Sequence, residues 1–156
     1  RSSAASDVYK RQIVEPNDII INGLNLNYDF KSMRVGKVTE NGIITSAYIV
    51  LRPYNNVYSD FFNYLFKAFD YRKFFHGMGK GIRLTLSFNE LRYFEIPVPP
   101  IDEQKKIAAY LDEKCAKIDA ILEKINTEVE RLKELKRSLI NEVVTGQRAI
   151  DTESHS

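Results

Sequence analysis

An α+β fold is predicted for this chain of 156 residues, on three observations. Short aliphatic runs bounded by Asn, Asp and Gly fill the first third and read as strands. From Tyr58 the apolar period changes to three and four residues, which is helical. After Ile96-Pro97-Val98-Pro99-Pro100 a helical pattern runs without interruption for more than forty residues, to Gly146. At about 1.5 Å per residue such a helix spans roughly 65 Å, longer than a head of about a hundred residues. A small mixed head is therefore expected on a rod whose apolar stripe needs a second surface.

Asn17-Asp18 followed by Ile19 to Ile21 predicts a turn and a buried strand, and Asn22, Gly23, Asn25 and Asn27 a polar loop. Met33 to Thr39 and Ile43 to Arg52 are predicted as two strands joined through Glu40-Asn41-Gly42 as a hairpin. Tyr58 to His76 is a predicted helix with Ser59 as its cap and Phe62, Leu65, Phe66, Phe69 and Lys73 on one face. Gly77, Gly79 and Gly81 should break it. Leu84 to Phe88 and Phe94 to Val98 read as short extended segments around a turn at Asn89-Glu90. In the rod, Leu111, Cys115, Ile118, Leu122, Ile125, Val129, Leu132, Leu135, Leu139 and Val143 recur three or four residues apart, a heptad-like seam with an irregularity where Lys136 takes a seam position. Asp102 and Glu103 suit the start of the helix, Glu113 with Lys117 and Glu130 with Lys133 are supporting pairs, and Gly146 is a terminator.

Composition narrows the class. Apolar residues make up 44% and aromatics 12% of the chain, enough for an ordinary core. No apolar run approaches the roughly twenty residues of a membrane span, so no membrane partner is expected. A single cysteine, Cys115, excludes an intrachain disulfide framework and suits a reducing cytoplasm. Residues 1–12 show neither helical nor strand period and are read as a leader of doubtful origin on a fragment, with the head over 13–100, the long helix over 101–146 and a frayed, disordered tail over 147–156. Residues 1–101 carry 13 Lys+Arg against 9 Asp+Glu, whereas 102–148 carry 10 of each. The head is basic and the rod neutral.

Two segments are candidates for contact with double-stranded DNA. Lys67 to Arg83 holds Lys67, Arg72, Lys73, Lys80 and Arg83 against Asp70 alone, interleaved with phenylalanines and followed by Gly77 and Gly79. Cations beside glycines that expose backbone N–H groups suit a phosphate backbone; a core helix with solvated lysines is the plainer account. Asn25, Asn27, Tyr28, Lys31 and Arg34 form the second patch, because amides pair with adenine edges and guanidinium with guanine. Loop asparagines also serve simply as turn formers. Gly77-Met78-Gly79-Lys80-Gly81 matches neither a dinucleotide nor a Walker pattern. With His76 and His155 the only histidines, no histidine metal cluster or Cys/His pair can be assembled, so no catalytic or metal site is expected. His76 reads as a helix-end or phosphate-contact residue. Glu134-Leu135-Lys136 matches half of a nuclease motif but lies on the rod without an acidic partner, and reads as a solvated helix face.

Ile96-Pro97-Val98-Pro99-Pro100-Ile101-Asp102-Glu103-Gln104, the long helix, and the closing Ser138 to Gly146 resemble the DNA specificity subunit of type I restriction-modification enzymes, a host-defence system. Asp18 to Asn22, Ile43 to Pro53 and the glycine turn before Arg83 resemble the later part of a target recognition domain of that family. The resemblance covers roughly residues 13 to 150, with one recognition segment in place of two and without the start of the domain.

The resemblance implies a non-catalytic module that reads one half of a bipartite DNA site and docks methyltransferase subunits. It implies that Leu111, Ile118, Leu122, Ile125, Val129, Leu132 and Leu139 pair with a second specificity module or with a homodimer partner. It further implies that S-adenosylmethionine and ATP are used by partner subunits and that this chain binds no cofactor. Two alternatives stand beside it: a coiled-coil adaptor with a protein-binding head, and a recognition domain excised from a fused restriction-methylation enzyme.

Overall fold

The computed structural model describes residues 11–26, 34–81 and 84–149. The chain divides into two compact units, Arg1–Tyr110 and Leu111–Ser156. In chain order the first holds β1 (Arg11–Val14), β2 (Ile19–Ile21), β3 (Val35–Lys37), β4 (Gly42–Thr45), β5 (Ile49–Leu51), α1 (Ser59–Tyr71), α2 (Phe74–Met78) and α3 (Phe88–Leu91). The long helix α4 (Ile101–Val144) begins in the first unit and continues as the second. This is the small mixed head and long terminal helix expected of the sequence.

Ile19-Ile20-Ile21 forms the middle of a three-stranded antiparallel sheet ordered β3-β2-β5, in register Ile21 with Val35 and with Ile49. Side chains alternate across a strand, so Ile19, Ile21, Val35 and Ile49 share one buried face. Phe61, Phe62 and Phe66 of α1 join them in the core, together with Phe75, Leu86, Leu91 and Ala108. The turn into β2 is tight: Asp18 N–H donates to Glu15 O at 3.1 Å with Asn17 at φ 75°. Asp18 is buried and accepts a forked pair of bonds from Arg52, Nε to Oδ1 at 3.0 Å and Nη2 to Oδ2 at 2.9 Å. That guanidinium holds the carboxyl below its ordinary range.

The expected hairpin across Glu40-Asn41-Gly42 does not form. β3 pairs back with β2, and β4 pairs with β1 in a separate two-stranded ribbon. Ile43 to Arg52 is not one strand, because Thr45 to Tyr48 turns (Tyr48 N–H to Thr45 O, 3.4 Å) and divides the run between the two sheets. β1 also takes in Arg11 and Gln12, which had shown no strand period: a four-residue strand is too short for alternation to register until its partner is known.

The predicted helix from Tyr58 to His76 is two helices. It breaks at Lys73, which takes a left-handed φ of 57°, before the glycines are reached. The reversal lets Phe74 stack near Phe94 (4.9 Å between centroids) and Phe69 (5.4 Å) while Phe75 enters the core. Gly77 lies inside α2. Ser59 is not the cap but the first helical residue; Tyr58 occupies the cap position and its N–H is taken by Gln104. The expected turn at Asn89-Glu90 is α3, opened by a capping box in which Ser87 and Glu90 satisfy each other's backbone N–H. Phe94 to Val98 joins no ladder among the described residues; Phe94 packs edge-on to Phe69 at 5.5 Å and Ile96 rests on the core.

The first turns of α4 belong to the head. Gln104 is fully buried; its Oε1 accepts from Tyr58 N–H at 2.8 Å, and its Nε2 donates to Pro99 O at 2.8 Å and to Asn56 O at 3.2 Å. One turn on, Ala108 is fully buried, with Ile107 beside it on the core. From Ile118 onward the apolar positions of α4 are exposed, apart from a half-buried Val143. Gly146 ends the last turn at φ 75°, as a terminator should.

Replacing Gln104 by Ala removes three hydrogen bonds and leaves the Tyr58 amide without its acceptor. Loss of about 3 kcal/mol is expected, measured by urea unfolding, and Gln104→Glu should cost at least as much because it turns a buried carboxylate oxygen toward the Asn56 and Pro99 carbonyls.

Candidate nucleic-acid interface

Two segments that are far apart in the sequence are tied into one surface by backbone bonds. Leu26 N–H donates to Leu84 O at 3.1 Å, and Leu86 N–H donates to Gly23 O at 2.9 Å, so the polar loop over 22–26 lies along the stretch over 84–86. Only glycine fits at Gly23, where a Cβ would lie 2.1 Å from Leu86 O, and a Cβ on Gly79 would crowd Leu26 Cδ1 at 2.9 Å and Leu84 C at 3.1 Å. Lys80 and Thr85 close the intervening turn as an antiparallel bridge.

Arg34 fastens this arrangement from inside. It is buried, with Nη1 donating to Leu24 O at 2.7 Å and Asn22 O at 3.1 Å, and Nη2 to Asn25 O at 3.1 Å. Its own N–H donates to Asp70 Oδ2 at 2.8 Å, at the end of α1. A planar fork that reaches three carbonyls at once is what guanidinium supplies and ammonium cannot. The expectation that Arg34 faces DNA is therefore corrected: its donors are turned to the loop, where they shape the segment that Asn25 occupies.

Asn25 itself is exposed at φ 50°. Of the four non-glycine residues with positive φ among the described residues, Asn25 and Leu84 lie in these joined loops. Such backbone persists where surrounding contacts over-determine it. Arg72 and Gly77 are exposed, Lys73 is half-buried, and Gly79 is a packing glycine before it is a hinge. Asn27, Tyr28, Lys31 and Arg83 lie outside the described residues. His76 does not reach outward: both ring nitrogens are buried and find no hydrogen-bond partner among the described residues, which corrects the phosphate-contact reading.

Lys80 is exposed, and its ammonium sits 3.2 Å from Glu90 Oε1. Glu90 is held at about 2 by the Ser87 hydroxyl first, then by Lys80 and the Ser87 N–H, so it stays ionised throughout the neutral range. A hollow beside the pair is lined by Met78, Lys80, Asn89, Glu90 and Tyr93. Arg92 lies 4.9 Å over the Tyr93 ring, a cation on an aromatic face. Arg92 and Tyr93 escaped the sequence reading because one isolated Arg-Tyr step carries no period. Their adjacency to the Ser87/Glu90 capping box was the available signal.

This surface sits on a head that belongs to a recognised class. A family model described as the type I restriction modification DNA specificity domain matches residues 9–131, and the chain belongs to that family. Among individual proteins, the type I restriction enzyme MjaVIII specificity subunit of Methanocaldococcus jannaschii is 29% identical over 140 residues, covering 87% of this chain and 30% of that protein. The putative MjaX specificity subunit of the same organism is 29% identical over 100 residues, 62% of this chain and 23% of its own. The chain thus spans less than a third of the curated relatives it matches. A solved chain from work on complex assembly and conformational transition of the type I R-M system has the same fold, with TM-score 0.68 at 20% identity over 84% of this chain and 31% of that one. Among the described residues no helix is long and apolar enough to cross a membrane.

Arg34→Lys keeps the charge but gives up the three-carbonyl fork. A loss of about 1–3 kcal/mol is expected in urea unfolding, with faster amide exchange at Leu26 and Leu86 than at Ile19 or Ile21, which localises the effect to the joined loops.

Proposed function

We propose that this chain is a non-catalytic DNA-recognition module of a type I restriction-modification system, working in the cytoplasm. The head contacts one half of a bipartite site, and α4 pairs with a second specificity module or a second copy and carries methyltransferase subunits. S-adenosylmethionine and ATP belong to those partners. What supports this reading is the Leu26–Leu84 and Leu86–Gly23 bonds together with the Lys80–Thr85 bridge, which bring Asn25 and Lys80 onto joined loops of a head whose net charge is positive, with Arg72 exposed at the end of α1. Family membership supports it independently. The stripe of Ile118, Leu122, Ile125, Val129, Leu132 and Leu139 supports the pairing role, because an exposed apolar row of that length asks for cover. Leu111 at its start is half-buried.

Fluorescence anisotropy with duplex DNA over a range of salt tests the DNA reading. Arg72→Ala and Lys80→Ala should each weaken binding several-fold on all sequences and reduce the slope of log K against log salt by about 1. Glu90→Gln keeps the capping box and releases Lys80, so it should tighten binding. Flat salt dependence, or no change in any variant, would count against the reading.

The helix is tested separately. Ile125→Glu places a charge in the middle of the stripe and should lower the assembled mass in light scattering while leaving the unfolding of the head unchanged.

A further inference from the structure

The β1–β4 ribbon carries an apolar pair that the core of the head does not use. Ile13 and Ile43 stand opposite each other in register and are 70% and 65% exposed, whereas the neighbouring Val14 is 3% exposed on the inward side. Alternation puts Arg11 and its partner Thr45 on the same outward face, and both are exposed. Neither strand contains an acidic residue.

The inward side fixes where the ribbon stands. Gln12 Nε2 donates to Thr45 O at 3.1 Å and to Tyr48 O at 2.7 Å. Gln12 and Tyr48 line one groove with Leu24, Thr85, Leu86 and Ser87, so the ribbon borders the joined loops of the candidate interface.

We infer that the outward face of this ribbon enters the major groove, with Ile13 and Ile43 against thymine methyl groups and Arg11 and Thr45 at neighbouring base edges. This rests on the DNA-recognition reading above and adds a sequence-reading element to it. The major groove admits a two-stranded ribbon, and the thymine methyl is the apolar feature it displays there. The strands carry no acid and Arg11 faces outward, while the exposed Glu15 just beyond β1 is engaged by Arg52 Nη1 at 3.2 Å, an arrangement that suits a polyanion.

The test uses the whole chain and a pool of random-sequence duplexes, from which bound sequences are selected and then resynthesised with deoxyuridine in place of thymine. The wild-type chain should lose about fourfold in affinity for each contacted methyl removed. The Ile13→Ser/Ile43→Ser variant should bind the thymine duplex more weakly by a similar factor, ignore the deoxyuridine substitution and keep the wild-type salt slope. The base substitution acts on the DNA alone, so the wild-type comparison stands whether or not the variant folds. Equal binding of thymine and deoxyuridine duplexes, or a variant that alters assembled mass and not affinity, overturns the inference while leaving DNA recognition intact. Absence of any duplex binding by the wild-type chain would instead remove the reading on which it rests.

Discussion

Everything in this head converges on a single buried amide. Gln104 lies in the first turn of a 44-residue helix, yet it satisfies polar groups from three other places in the chain: the Tyr58 amide that opens α1, the Asn56 carbonyl before it and the Pro99 carbonyl behind. A fully buried amide is costly unless its donors and acceptors are met, and here they are met only when α1, the preceding loop and the proline segment are all in place. The start of α4 and the start of α1 are thereby fixed together. A rod anchored in this way is part of the fold of the head for its first two turns, not a tail appended to it.

The interface relies on the same device. Arg34 is buried with its guanidinium on three loop carbonyls, and its amide engages Asp70 at the far end of α1. Its positive charge serves the loop, whereas Arg72 and Lys80 remain exposed. Lys80 is held by Glu90, whose carboxylate the capping hydroxyl keeps ionised. The pair joins an exposed ammonium to a half-buried carboxylate.

The second unit follows different rules. It carries 10 Asp+Glu against 8 Lys+Arg, is held by local pairs such as Glu113 with Lys117 and Glu130 with Lys133, and leaves its apolar stripe open. Local pairs stabilise the helix itself without specifying a partner. The stripe supplies the reason for one.

Helical period over forty residues is a strong local signal, so the long helix, its acidic first turn and its terminating Gly146 were legible before any coordinates. The three consecutive isoleucines of β2 were legible for the same reason. The family resemblance rested on short runs of residues, among them Ile96 to Gln104 and Ser138 to Gly146, and needed no tertiary information. What failed was pairing: Gly42 reads locally as a hairpin turn, but β3 returns to β2 and β4 crosses to β1, because partners are chosen by which faces bury together and not by proximity in the chain. Arg34 failed likewise, since a cation looks the same in sequence whether it meets a phosphate or three carbonyls of its own loop. Residue type and spacing therefore determined the class, the helix and the charge balance of this protein. Only the folded chain decided which polar groups were spent internally and which remained outside, because burial is a property of all the elements at once.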